Sequence, residues 1–335
     1  MKFLIYTFSV ILILGLVYFF GPHPNIPSLK HRKATLTDSL TILENEINKS
    51  EKATFGIKKD NEAKIVWADS LHKSKTKYAF VYLHGFSASE KEGDPVHRNI
   101  AKHFNANLYL ARLQGHGLDL GDSTMLNVSA DGFYQSAYDA VEIGKKLGDT
   151  VIVIATSFGA ALALRLASED PTIHALVTYS PCIKIFDPRA VLLDDRWGLQ
   201  LARTIKGDRF MDIPQVSPDQ DDYWSLHYRI EALVELQNFI TNSNTVETFQ
   251  KVKCPIMVGY YYKNETEQDS VVSVAAIKEM FDELGTEKDK KLLIDFPNAG
   301  HHVLGSYVLS KDIDAVTRES ISFLEKVVGL KQEIQ

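Results

Sequence analysis

The stretch that most constrains this chain is an apolar run, Val151-Ile152-Val153-Ile154, that meets a serine flanked by small residues, Ala155-Thr156-Ser157-Phe158-Gly159. A run rich in alanine and leucine follows over residues 160–167. The first part has the β-branched composition of a buried strand and the last part the composition of a helix. A strand that reverses sharply into a helix leaves the serine hydroxyl at the tip of the turn, beside the free amides of the helix N-terminus. Such a turn brings strand and helix close together, so the residues two before and two after the serine must be small. Here they are Ala155 and Gly159. The usual pattern is G-x-S-x-G, and Ala155 departs from it by one methyl group, beside the equally small Ala160 and Ala161. An ordinary strand-to-helix turn with an incidental serine has the same five residues, so the rest of the chain must decide between the two readings.

A serine is inert near neutral pH unless an imidazole takes its proton and a carboxylate orients that imidazole. Downstream, the strand-like run at 255–261 leads into a polar loop at 263–268 and then Asp269-Ser270-Val271-Val272. A carboxylate just past a strand end is placed to reach the edge of a sheet where a catalytic base would sit. Glu265 and Glu267 share that loop, whereas Asp295 lies inside a strand pattern and is a poor candidate. The next strand pattern, 291–296, is followed directly by Pro297-Asn298-Ala299-Gly300-His301-His302. Spacing alone does not separate the two adjacent histidines.

A third motif, His84-Gly85-Phe86-Ser87-Ala88-Ser89, follows the strand pattern at 78–83. Together the three motifs make residues from about 63 to 330 resemble an α/β-hydrolase of the serine esterase and monoglyceride-lipase type. The order Ser, Asp, His along the chain agrees, since it differs from that of chymotrypsin-like and subtilisin-like enzymes. The resemblance implies an α/β fold with a mostly parallel central sheet, helices on both faces and an inserted lid. It implies a triad of Ser157, Asp269 and His301, because the family places its base directly after glycine and its acid in an Asp-x-x-Val context. It also implies that the backbone N–H groups of Phe86 and Phe158 form the oxyanion hole, with the His84 side chain shaping the loop. Gln114-Gly115-His116-Gly117 resembles a further family loop, which makes His116 structural.

The expected substrate is a small-molecule ester or lipid-like molecule, as for a carboxylesterase or monoacylglycerol lipase, with no cofactor and no metal. Serine peptidase and thioesterase activities share the same triad, and a catalytically silent binding module of this fold is the alternative from another class. A dehalogenase or epoxide hydrolase of this type would need aspartate at position 157. The formal net charge of -6, without basic clusters, excludes a nucleic-acid footprint. The remaining histidines lack metal-ligand spacing. Cys182 and Cys254 form no redox or metal motif, and their spacing leaves a disulfide open. Nothing in the sequence fixes an oligomeric state.

Residues 3–20 carry no charge and follow Lys2. As a helix they would extend roughly 27 Å, close to the ~30 Å hydrocarbon core of a bilayer. No small-x-small cleavage site ends the run. The expectation is therefore an uncleaved signal anchor over residues 1–21, a single transmembrane helix with the catalytic domain on the non-cytoplasmic side. A polar linker at 22–61 follows, in which Leu36, Leu40, Leu43 and Ile47 recur at helical spacing. The α/β-hydrolase domain then runs over 62–335, with alternating strand and helix patterns that imply a largely parallel sheet. That alternation fails at about 183–252, where the family inserts its lid. Trp197, Phe210, Met211, Tyr223, Trp224 and Tyr228 there supply either an acyl-binding wall or the insertion's own core.

Overall fold

A computed structural model describes residues 2–333. An N-terminal helix, α1 (Lys2–Phe19), and a second helix, α2 (Leu40–Ala53), precede the strands β1 (Lys64–Val66) and β2 (Thr76–Leu83). Alternation then sets in with α3 (Val96–His103), β3 (Asn107–Leu110), α4 (Ala130–Leu147), β4 (Gly148–Thr156), α5 (Phe158–Glu169) and β5 (Ile173–Tyr179). After β5 comes an insertion: α6 (Gly198–Lys206), β6 (Phe210–Asp212), α7 (Gln220–Tyr223), β7 (His227–Arg229), the longer α8 (Glu231–Ser243) and α9 (Val246–Lys251). Alternation resumes with β8 (Ile256–Tyr260), α10 (Val274–Glu283), β9 (Lys291–Asp295) and α11 (Ile313–Lys326).

Seven strands form one sheet in the order β1-β3-β2-β4-β5-β8-β9, while β6 and β7 pair separately. Only β1 runs antiparallel to its neighbour; every other pair in the large sheet is parallel. This is the expected α/β architecture. The central strands are buried on both faces, as helix-covered parallel strands must be, and Ile152 and Val153 of β4 are both fully inaccessible. One apolar core, containing Val81, Val153, Phe133 and Leu162, fills the α4 and α5 side. A second, containing Phe80, Ile152, Ile154 and Phe323, fills the α3 and α11 side.

Residues 22–61 pack onto this body. Leu29, Leu43 and Ile47 join the first core, and the N–H of Leu29 donates to Asp131 at 2.6 Å. Both cysteines are free thiols.

The single-pass anchor expected at residues 1–21, and with it the non-cytoplasmic placement, needs correction. Among the described residues no helix is long and apolar enough to cross a membrane. The reason lies at both ends of α1. It begins at a lysine, and its last turn is engaged by a charged segment of the insertion. The Tyr18 hydroxyl donates to Asp195 at 2.9 Å, Trp197 Nε1–H donates to the Val17 carbonyl at 3.0 Å, and the Arg196 guanidinium lies 5.1 Å from the Phe19 ring centre. What remains between them falls short of the ~20 apolar residues a span requires.

Candidate active site

The C-terminal ends of β2, β4, β5, β8 and β9 converge on one edge of the sheet, and the candidate residues sit on the loops leaving it. Ser157 directly follows β4 and caps α5 with φ 53° and ψ -115°. A positive φ in a non-glycine residue is strained, and neighbouring bonds hold it there. The Ser157 N–H donates to the Tyr179 carbonyl at 2.8 Å, and the Ser157 carbonyl accepts from Cys182 N–H at 3.0 Å. Gly159 is required for the same turn, because a Cβ there would collide with the Leu83 and His84 carbonyl oxygens. Ala155 is fully buried in the first core, where its methyl group is accommodated.

Asp269, on the loop after β8, is 1% exposed. One of its oxygens accepts the N–H groups of Val271 and Val272 at 2.8 and 3.0 Å. The other lies 2.5 Å from Nδ1 of His302. This pairing differs from the one the family spacing implied: the histidine that meets Asp269 is His302, and His301 turns elsewhere, its Nδ1 accepting the Val303 N–H at 3.0 Å. Burial, followed by the influence of His302, drives the His301 pKa down to about 4. At His302 burial opposes the charged form, yet Asp269's charge and hydrogen bond, with Glu92's charge, outweigh it and raise the pKa. Asp269 is correspondingly lowered: burial acts upward, but His302 and the two N–H donors prevail. The arrangement therefore puts the proton on Nδ1, donated to Asp269, and leaves Nε2 of His302 for another partner. Ser157 Oγ makes no hydrogen bond to either histidine among the described residues.

His84 shapes the neighbouring loop. Its Nε2 accepts the Leu113 N–H at 3.1 Å, so the proton resides on Nδ1, which donates to the Gly85 carbonyl at 2.9 Å. Burial lowers the His84 pKa to about 4, which keeps this ring neutral. In a trans peptide the C=O and the following N–H point in opposite directions. The Phe86 N–H is thereby aimed away from His84. Neither it nor the Phe158 N–H donates to a protein acceptor among the described residues, although Phe158 is fully buried and buried amides are rarely left unpaired. His116 is buried behind the loop, its Nδ1 2.9 Å from the Gln114 carbonyl.

Several of the insertion's aromatic residues reach this edge, among them Phe239, whose ring lies 5.3 Å from that of Phe158, and Tyr223, which packs against Ala88 and Val303. The Tyr228 ring lies 5.6 Å from that of Phe86, and Trp224 packs with Ala88 and Val303. Phe210 instead stacks on His227, and Trp197 is spent on α1. Glu265 bonds with Tyr262 and Glu267 with Lys263, both exposed and away from His302. No group of His, Cys, Asp and Glu among the described residues is arranged to hold a metal ion.

A model of the alpha/beta hydrolase family matches residues 80–317, from the middle of β2 into α11. The chain belongs to that family. Solved structures share its fold at low identity. A metagenome-derived structure from the LipS and LipT lipolytic-enzyme work is 17% identical, with a TM-score of 0.64 over 81% of this chain and 99% of the other. A soluble variant of the monoglyceride lipase from Saccharomyces cerevisiae, with a substrate analogue, is 11% identical, with a TM-score of 0.60 over 82% and 92%. The monoacylglycerol lipase from Paleococcus ferrophilus is 13% identical, with a TM-score of 0.57 over 80% and 98%. No curated protein matches the chain. Sequence reasoning passed over His302 in favour of its neighbour and did not single out Glu92 of the loop after His84. The signal for the first was the doubled histidine itself; the second had none.

Proposed function

We propose that this alpha/beta hydrolase is a serine hydrolase that cleaves carboxylic esters through an acyl-enzyme. The observation that carries this reading is the buried Asp269–His302 pair at the same sheet edge as a serine held at positive φ. In this mechanism Ser157 Oγ attacks the ester carbonyl while His302 Nε2 takes its proton. Asp269 holds the imidazole in the required tautomer and stabilises the imidazolium. The N–H groups of Phe86 and Phe158 receive the negative charge on the carbonyl oxygen; one such donor contributes about 10²-fold to 10³-fold in rate. The alcohol leaves with the proton from His302, and water activated by the same nitrogen releases the acid. Residues 183–252 act as the lid, with Tyr228 and Trp224 supplying its apolar contacts near Phe86. The partner is a small-molecule ester or lipid-like substrate.

The test is hydrolysis of p-nitrophenyl esters from C2 to C12, with matched thioesters and peptide p-nitroanilides, by the protein and by Ser157→Ala. Ester turnover that the substitution abolishes, together with fluorophosphonate labelling of Ser157, is the expected result. A protein that takes no probe and turns over none of these substrates refutes the assignment.

A further inference from the structure

Two glutamates on the short turn after the His84 loop are buried to the same degree, Glu90 at 1% and Glu92 at 2% exposure, yet their surroundings differ. Glu90 faces three basic side chains: Arg98 at 3.2 Å, His97 at 3.3 Å and Lys64 at 3.5 Å. Burial raises its pKa, but these neighbours, His97 first, bring it down to about 2. Glu92 has no salt bridge among the described residues. Its carboxylate accepts the Gly85 N–H and lies 3.5 Å from the Tyr82 hydroxyl, which is itself 3.0 Å from Thr156 Oγ1, one residue before the serine. Burial pushes Glu92 up to about 7, against the pull of Gly85, His302 and Tyr82. A buried, unpaired carboxylate is costly and tends to persist where it serves a site.

The position explains what that service is. A Cβ built on Gly85 would lie 2.7 and 2.9 Å from the two carboxylate oxygens and 3.0 Å from Ser157 Cβ, which bounds the distance from the nearer oxygen to Ser157 Cβ at 5.7 Å. Gly85 is held at both polar atoms, its N–H by Glu92 and its carbonyl by His84. The His84 bond orients the Gly85–Phe86 peptide, which carries the Phe86 N–H, and the Glu92 bond holds the peptide just before it, between His84 and Gly85. His302, with Asp269 behind it, is the titratable group facing Glu92 from the catalytic loop; Tyr82 faces it from β2, and Glu90 is its acidic neighbour on the same turn.

We propose that Glu92 is a positioning residue of the active site, which holds the His84–Gly85 peptide, next to the one that carries the Phe86 N–H, and when ionised adds a second negative charge to the surroundings of His302. This rests on the serine-hydrolase reading for its kinetic consequence; for its electrostatic one it rests on a buried carboxylate lying within 5.7 Å of Ser157 Cβ, with His302 the imidazole coupled to it. Glu92→Gln keeps an acceptor for Gly85 N–H but removes the charge; Glu92→Ala removes both.

The two variants are compared with the parent protein in p-nitrophenyl ester kinetics and in an NMR titration of the His302 ring. Glu92→Ala is expected to lose about 10-fold to 10²-fold in kcat with KM changed far less, as an oxyanion donor that is misaligned but not removed requires. Glu92→Gln is expected to recover most of that kcat, while the His302 titration and the acid limb of the kcat/KM profile move to lower pH. Unchanged kcat in a folded Glu92→Ala, or a His302 titration in Glu92→Gln that coincides with the parent's, overturns the proposal. If Glu92→Ala does not fold, the Glu92→Gln titration alone decides. A parent protein without turnover or probe labelling sinks the esterase reading instead, and the His302 titration still judges Glu92.

Discussion

The turn around Ser157 and the insertion at 183–252 are built by opposite means. Around Ser157 the backbone is strained but fully determined: Ile152, Val153, Ile154 and Ala155 are inaccessible, and both polar backbone atoms of Ser157 are bonded. In the insertion α8 buries Phe239 and Ile240 in the first core, but the outer part, residues 191–212, is built loosely: β6 and β7 pair over three residues each, and Val191, Leu201 and Ile205 are exposed. Strain at the turn is held by a rigid surround, whereas that outer part has little buried area to resist rearrangement. On the proposed mechanism the chemistry thus sits on the part that is held, and any lid movement falls to the outer part of the insertion.

The largest expected break in this contrast comes from the catalytic loop. His302→Ala should lower kcat by about 10⁴-fold or more, like Ser157→Ala, whereas His301→Ala should stay within about tenfold, as measured by ester turnover. Equal losses for both histidines would argue against the Asp269–His302 assignment. Gly159→Ala comes next. It forces a methyl group against the Leu83 and His84 carbonyls and should cost about 3 kcal/mol in a denaturant melt, with turnover lost in whatever remains folded.

The pH dependence sharpens the same region. His302 must be neutral to act as base, so kcat/KM should rise with pH through a value above the ordinary 6.5, because Asp269 and Glu92 outweigh burial there. The stability contribution of the pair follows its two shifts. The raised His302 contributes below about 6.5 and loses its contribution as pH rises through its folded value. The lowered Asp269 contributes above its ordinary 3.8 and loses its contribution as pH falls through its own. Thermal melts of Asp269→Asn against the parent should therefore differ most between those limits. A flat difference across pH would contradict the pairing.

Smaller effects belong to the insertion. Trp224→Ala opens space beside Ala88 and Val303, so the acyl-chain optimum in the C2 to C12 series should lengthen with only a few-fold change in kcat. Ile205→Ser, at a position 70% exposed on α6, should leave the melting temperature unchanged. A large drop would show that α6 is covered in solution.

Local sequence determined the alternation of strands and helices, the small residues at 155 and 159, and the sharp turn between them. Each of these depends on side-chain volume and torsional preference within a few residues. It did not determine which of two adjacent histidines faces Asp269: consecutive loop residues point in different directions, and the path from β9 past Gly300, at φ 66°, decides which one turns inward. Nor did it mark Glu92, whose meaning depends on the Gly85 amide and on the absence of the cations that Glu90 enjoys. The end of α1 is a similar case, since hydropathy counts its residues but not the Asp195, Arg196 and Trp197 that engage its last turn from some 180 positions away. Burial and hydrogen bonding between distant segments are properties of the assembled chain, and only the tertiary structure supplies them.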